Sequence, residues 1–446
     1  MTALPPGPSG GLFASLRVLR DPYGEAVRCV RKYGDPFTLK LPLQGPIVIT
    51  GEPAAIRSIF AANPLAYASA AADSMGPIIG SRSILMLEGA EHLRARKLLT
   101  PPFHGARMRA YGGLMRDTAI RRIAPLSVGS EFAVQDVAQA ISLDVILQTI
   151  FGVTQPEQMA RLDRAVRAWM NAIGPSIAMF GFLRHEFAGV GPWAKFLRAR
   201  AHLAELITDQ TSARRREPHV AREDVLSLLL SARYEDGSAM SDLEVFDQLV
   251  TLVAAGHETA TITLSWACYW LHRNPAALER LNAELDSLDR ATEPDALVSL
   301  PYLEAVLQET LRLYPIVAIA TRKLAQPFEL AGHTLPPGVH VGAATSLVHY
   351  RADLYPEPER FLPERFLGNS FAPTEYFPFG GGVRRCLGAA FAMYELKIVL
   401  GTLLRTLRLR AADDKPVRPA MRAAGLGPGR AVKLRVVELR ALGYVK

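Results

Sequence analysis

Apolar residues recur at helical spacing through most of this chain and alternate only in a few short stretches. A helix is predicted from Tyr23 to Tyr33, followed by strands at Phe37–Leu41 and Ile47–Thr50 around a Gly45-Pro46 turn. Pro53–Ala61 reads as the next helix. From Ala66 to Met86 small residues and the Gly76-Pro77 and Gly80-Ser81 pairs break any period, which predicts a functional loop. From Glu91 past Arg215 the spacing is helical, punctuated near Pro101-Pro102, Gly152, Gly174-Pro175 and Gly191-Pro192. Leu249–Leu271 is almost continuously apolar and long enough to span a bilayer. Gly256, His257 and Glu258 in its middle make lipid exposure costly, so a buried central helix is predicted. Leu303–Tyr314 is another helix, and Pro315–Arg322 is extended and apolar. Strands follow near Phe328–Leu330 and Val339–Val341 across a Pro336-Pro337-Gly338 turn, and Arg422–Val437 reads as a hairpin around Gly427-Pro428-Gly429. No fixed-period repeat appears. The fold class is mainly α with a small β portion (α+β): a Pro/Gly-rich lead over residues 1–11, then a single domain over 12–446.

Composition changes this picture little. Hydrophobic residues are 49% and charged ones 21% of 446, enough apolar material for a large core. The net charge of +8 suggests nucleic acid only if the arginines cluster; they are spread, and no zinc-finger, basic-zipper or RNA-binding signature occurs. A basic surface for an acidic redox partner suits the charge better. Cys29, Cys268 and Cys386 are odd in number and far apart, which argues for a reducing, cytoplasmic setting over a disulfide framework. The first eleven residues lack a charged n-region and an apolar h-region, so neither a signal peptide nor a transmembrane anchor is predicted.

The chemistry concentrates in Phe377-Pro-Phe-Gly-Gly-Gly-Val-Arg-Arg-Cys-Leu-Gly388. After Cys386, Leu387, Ala390, Phe391, Tyr394, Val399, Leu400, Leu403, Leu404 and Leu407 largely keep to one helical face. A cysteine at the mouth of a helix sees backbone N–H groups and the positive end of the dipole, which favours its thiolate. Glycines let the backbone bend close to a flat group and aim its amides at the sulfur. The arrangement suits a metal-bound thiolate. Taken alone, a Gly-rich turn and a cysteine are more often a turn and a small apolar residue.

The run resembles the haem-ligand signature of the cytochrome P450 superfamily at Phe379, Gly382, Arg384, Cys386 and Gly388. Four further motifs resemble that family in order. Glu91-His-Leu-Arg-Ala-Arg96 places His92 and Arg96 on one helical face, as in the helix that binds a haem propionate, with His92 where Trp is more widespread. Without the resemblance, the pair reads more often as a solvated basic face. Ala255-Gly-His-Glu-Thr259 is similar to the distal-helix motif, in which a glycine and a back-bonding threonine open a local kink, and it departs from the family at Ala260. Glu309-Thr-Leu-Arg312 followed by Tyr314-Pro315 looks like the family's Glu/Arg helix. Its third partner is the arginine of a Pro-Glu-Arg-Phe tetrad, which occurs twice; spacing from Phe361 favours Arg365 over Arg360. Arg322 resembles the second propionate-binding arginine.

The resemblance implies the triangular, helix-rich P450 fold and haem b ligated by the Cys386 thiolate. His92, Arg96, Arg322 and Arg384 then hold its carboxylates, with Ala255, Phe379, Gly380 and Gly388 against the cofactor. Glu258 and Thr259 are the implied catalytic pair for proton delivery to O2, and Glu309, Arg312 and Arg365 a structural triad that locks the thiolate loop. No Rossmann or flavin segment is present, so electrons from NAD(P)H are expected through an external ferredoxin or flavodoxin with its reductase. The implied pocket is lined by Ile78, Ile79, Leu85, Met86, Leu252, Val317, Ala318, Ile319 and Leu426, with Met179, Phe180 and Phe182 in a lid. These side chains are apolar, which points to a medium-to-large lipophilic substrate, a fatty acid, terpenoid, steroid or macrocyclic natural product; the resemblance implies its hydroxylation or epoxidation by a monomeric enzyme. A haem-binding sensor, a peroxide-driven peroxygenase and a haem-thiolate isomerase are the alternatives at this stage.

Overall fold

The computed structural model describes residues 4–8, 17, 21–41, 45–70, 72–173, 177, 184–185, 189–217, 220, 222–289, 294–422 and 425–440. They fall into two compact units. One comprises residues 1–70, 112–139 and 259–446, the other residues 71–111 and 140–258.

The first unit is built on a five-stranded sheet. Its order is Phe37–Leu41, Gly45–Thr50, His340–Ala344, Ile319–Leu324 and Tyr67–Ala68. Only the second and third strands run parallel. Their alternating Val48, Val341, Leu324 and Tyr67 face Ala55 and Ile59 of the Pro53–Ala61 helix in one buried cluster. The Pro22–Tyr33 helix starts where Asp21 accepts from Gly24 N at 2.9 Å and Pro22 fills the first turn; Arg31 and Lys32 close its last turn. Residues 4–8 of the lead join this unit: Thr38 donates through N to Pro6 O at 3.0 Å and through Oγ1 to Pro5 O at 2.7 Å.

Several sequence expectations need revision. Gly45 and Pro46 are strand residues paired with Leu41 and Lys40, so they do not form the turn. The partner of Phe328–Leu330 is His333–Leu335, a strand too short for its alternation to register. At the C-terminal end, Pro419–Arg422 pairs with Gly425–Pro428, while Lys433–Leu439 runs between Glu131–Ala133 and Leu407–Ala411. Gly427 and Pro428 therefore lie in a strand. The glycines are there for close packing: a Cβ on Gly425 would stand 2.3 Å from Ile316 O, and one on Gly427 2.9 Å from Arg422 Cγ.

In the second unit a helix spans Ala72–Ile79, within the stretch expected to be a loop, and it contains Pro77. A proline inside a helix costs about 3 kcal/mol. Ile78 and Ile79 are buried, and each returns about 1.5–3 kcal/mol. Burial wins over propensity. The Asp242–Arg273 helix contributes to both units, which divide after Glu258. It runs unbroken through Gly256, where a Cβ would lie 2.6 Å from Ile146 Cδ1, so the glycine answers to packing. The apolar stretch 249–271 is core: Leu249, Val253, Trp266, Cys268 and Leu271 are buried. Among the described residues no single helix is long and apolar enough to cross a membrane.

Candidate active site

In the first unit, Phe377–Gly388 forms a bent loop, a short 3-10 turn at Gly382–Arg384, and the entry to the Ala389–Thr406 helix. Gly380 and Gly382 have φ of 68° and 63°, the left-handed region that favours glycine. A Cβ on Gly381 would stand 2.3 Å from the Phe60 ring, and one on Gly382 2.2 Å from Phe60 O. A side chain at either position would push the loop off the Pro53–Ala61 helix. Gly380 N donates to Phe377 O at 2.9 Å and Cys386 N to Phe379 O at 2.9 Å, which closes the bend. The Cys386 thiol is exposed. Cys268, by contrast, is fully enclosed and its pKa is pushed up to about 12 by burial; Cys29 is buried and raised for the same reason. Of the three thiols, only Cys386 is placed to meet a ligand.

Arg322, on the Ile319–Leu324 strand, reaches back to this loop, donating to Gly381 O at 2.9 Å and to Thr321 O at 2.8 Å. Burial first, and the neighbouring Arg384 second, lower its pKa to about 10. Two guanidinium groups, Arg322 and Arg384, are close enough here for one to lower the pKa of the other. An anion with two carboxylates would relieve both penalties. A Cβ on Gly388 would meet nothing within 4 Å, so that flank of Cys386 is open. An exposed thiol, a side-chain-free flank and a paired cationic rim together fit haem, a flat group with two carboxylates.

Behind the loop lies a buried ionic cluster. Glu309 Oε2 accepts from Arg312 Nε at 2.6 Å. Its Oε1 accepts from Arg312 Nη2 at 2.8 Å, Leu362 N at 2.9 Å and Arg365 Nε at 3.3 Å. Glu309 and Arg312 are fully buried. Arg312 also donates to His349 O at 2.6 Å and Pro358 O at 2.8 Å. Of the two tetrad arginines, Arg365 enters the cluster, whereas the Arg360 side chain pairs at the surface with Glu357. Thr259 is half-buried in the Asp242–Arg273 helix, and its carbonyl accepts from Thr263 Oγ1 at 3.1 Å.

In the second unit, His92 and Arg96 sit one turn apart on the Gly89–Leu99 helix, His92 buried and Arg96 half-buried. The opposite face carries Arg94 and Lys97, bound to Asp236 and Glu235 at 2.6 Å each. Glu258 is half-buried and Ala255 exposed.

The family model for Cytochrome P450 matches residues 4–431. Putative cytochrome P450 135B1 of Mycobacterium bovis is 37% identical over 437 residues, covering 97% of this chain and 91% of that protein. The chain belongs to the cytochrome P450 family. A second relative, Putative cytochrome P450 137 of Mycobacterium tuberculosis, is 36% identical over 413 residues, 92% of this chain and 84% of its own. Among solved structures, Retinoic acid bound cyanobacterial CYP120A1 matches with a TM-score of 0.84 at 26% identity, over 98% of this chain and 99% of the other. The fold is the P450 fold, and the protein is a haem- and O2-using P450 monooxygenase.

The pocket positions named from sequence are spread over both units of this P450. In the second, Ile78, Ile79 and Met86 are buried, Leu252 is half-buried and Leu85 exposed. In the first, Val317 is exposed, Ala318 and Ile319 are half-buried and Leu426 is buried. Met179, Phe180 and Phe182 lie outside the described residues. Sequence reasoning missed Phe60 and His349, which touch the Cys386 loop from elements far away in the chain. It also missed Asp247 and Gln248. Asp247 Oδ2 accepts from Arg82 N at 2.9 Å, and Gln248 Oε1 accepts from Ile84 N at 2.9 Å, which pins the segment leading to Leu85. Only the contact partners mark these residues out; nothing local in their sequence does.

Proposed function

We propose that this P450 hydroxylates or epoxidises a medium-to-large lipophilic substrate of the fatty-acid, terpenoid, steroid or macrocyclic natural-product kind. It works in the cytoplasm as a monomer, with electrons passed from NAD(P)H through a ferredoxin or flavodoxin and its reductase. The observation that carries the chemistry is the exposed Cys386 thiol on a glycine-bent loop beside Arg322 and Arg384.

Bound haem b supplies oxygen activation and the oxidation of the substrate carbon. Cys386 Sγ, as thiolate, would hold its iron. Arg322, Arg384, His92 and Arg96 would neutralise its carboxylates, while Phe379, Gly380, Gly388 and Ala255 would allow its close approach. Thr259 Oγ1 donates protons during oxygen reduction, and the Glu258 carboxyl resupplies them. Glu309, Arg312 and Arg365 hold the loop without taking part in the chemistry.

The substrate class follows from the proposed wall: Ile78, Ile79, Leu85, Met86, Leu252, Val317, Ala318, Ile319 and Leu426 carry no charge to clamp a polar head. The cyanobacterial CYP120A1 structure has retinoic acid bound, a lipophilic compound of this size class, which supports the same reading. Spectral titration of the ferric protein tests it, using fatty acids, terpenoids, steroids, macrolides and retinoic acid against small hydrophilic compounds. Saturable Soret shifts confined to the lipophilic set are expected; shifts confined to the hydrophilic set would overturn the substrate class. Turnover with surrogate ferredoxin, reductase and NADPH, set against turnover with peroxide alone, tests the electron source. Product formation only with peroxide would overturn the redox-partner reading.

A further inference from the structure

The loop that carries Cys386 is tied to the buried ionic cluster through one ring, that of His349. His349 follows the short Thr345–Val348 helix and is buried. Its Nε2 lies 3.2 Å from Phe377 N, the first residue of the thiolate loop, and its Nδ1 lies 3.2 Å from Arg312 O. These partners fix the tautomer. A backbone N–H can only donate and a carbonyl can only accept, so Nδ1 carries the proton and Nε2 offers its lone pair. Burial first, and Arg312 second, lower the ring's pKa to about 3, so it stays neutral and Nε2 remains an acceptor at neutral pH. Arg312 returns the contact, its Nη1 donating to His349 O at 2.6 Å. The ring is also stacked on Tyr376 at 5.5 Å and set edge-on to Phe377 at 5.4 Å. Phe377 in turn packs edge-on against Phe60 at 5.5 Å, and Phe60 is the ring against which Gly381 closes. An unbroken path of contacts therefore runs from Glu309 through Arg312, His349 and Phe377 to Phe60 and the glycine bend.

We propose that His349 is a positioning residue for the haem thiolate, fixing the base of the Cys386 loop by accepting from Phe377 N while donating to Arg312 O. The inference rests on the reading of Cys386 as the iron ligand. His349 touches neither haem nor substrate; it acts through the loop. Loss of its acceptor would leave the buried Phe377 N–H without that partner and free the loop to shift the sulfur.

The test uses haem-loaded full chain. His349→Phe keeps a ring and removes both bonds. His349→Gln places an acceptor within reach of Phe377 N, and His349→Asn reaches only toward Arg312 O. Two readouts are compared with wild type: the Fe–S stretching frequency by resonance Raman, and the rate at which the carbon-monoxide complex loses its red-shifted Soret band in mild urea. His349→Phe and His349→Asn are expected to shift the stretch and lose the band about tenfold faster, with His349→Gln near wild type. Should His349→Phe fail to accumulate as holoprotein, the Gln and Asn pair carries the comparison. Wild-type frequency and rate in the Asn or Phe variant, or Gln behaving like Asn, would overturn the proposal. A wild-type holoprotein without the red-shifted band would overturn the Cys386 reading and this inference with it.

Discussion

Glu309→Gln is the substitution whose consequences the structure specifies most fully. The carboxylate accepts from four donors, namely Arg312 Nε and Nη2, Arg365 Nε and Leu362 N. Glutamine keeps the volume but has one oxygen, so its amide must face at least one guanidinium N–H. It also removes the charge that compensates Arg312, whose side chain has 0% exposure. Breaking a buried ion pair by neutralising one partner costs about 3–5 kcal/mol, a large share of a total stability of about 5–15 kcal/mol. At about 2 °C per kcal/mol for large domains, the thermal midpoint should fall by about 6–10 °C. Arg312 also holds the carbonyls of His349 and Pro358, so the loss should reach the cysteine loop and lower haem content. The assay is haem per chain in purified protein, with thermal unfolding followed by circular dichroism. Arg365→Ala is the milder control, because Arg312 then keeps its carboxylate. Wild-type haem content and an unshifted midpoint in Glu309→Gln would refute the argument that this cluster holds the loop.

Three further outcomes are expected. Arg322→Gln removes a half-buried cation next to Arg384; haem should pass to apomyoglobin about 10- to 100-fold faster, the worth of one charge-assisted hydrogen bond, and an unchanged transfer rate would contradict its role. Thr259→Ala should uncouple electron uptake from product and release peroxide, measured as NADPH consumed against product formed; unchanged coupling would remove Thr259 from the proton path. His349 has a pKa near 3 in the fold against 6.5 when unperturbed, so between these values the unfolded chain holds a proton that the fold excludes. Its contribution is whole above about pH 6.5 and is lost as pH falls toward 3, at about 1.4 kcal/mol per pH unit. Urea midpoints at pH 7 and pH 5 should therefore converge in His349→Gln relative to wild type, and an identical pH dependence would contradict the assignment.

The parts of the site legible in the sequence are those whose chemistry is local. Phe379, Gly382, Arg384, Cys386 and Gly388 lie within ten residues, and Cys386 N donates to Phe379 O, so part of their spacing records the bend of the loop. Of the two tetrad arginines, spacing favoured Arg365, and Arg365 is the one that bonds Glu309, while Arg360 pairs with Glu357 at the surface. What could not be read depends on distant partners. Phe60 and His349 look like ordinary helix and loop residues until the fold brings Gly381 and Phe377 against them. The glycines at 425 and 427 looked like a turn because turns and close backbone approach demand the same residue. The helix at Ala72–Ile79 was hidden by Pro77, whose local preference is overruled by two buried isoleucines.

The central claim is a bond from Cys386 to haem iron, and one spectrum tests it. The dithionite-reduced holoprotein under carbon monoxide should show the red-shifted Soret band of thiolate ligation, and Cys386→Ala should lose it while Cys268→Ala keeps it. A wild-type spectrum with only the short-wavelength band of a neutral ligand, or a Cys386→Ala variant that retains the red-shifted one, would contradict the account.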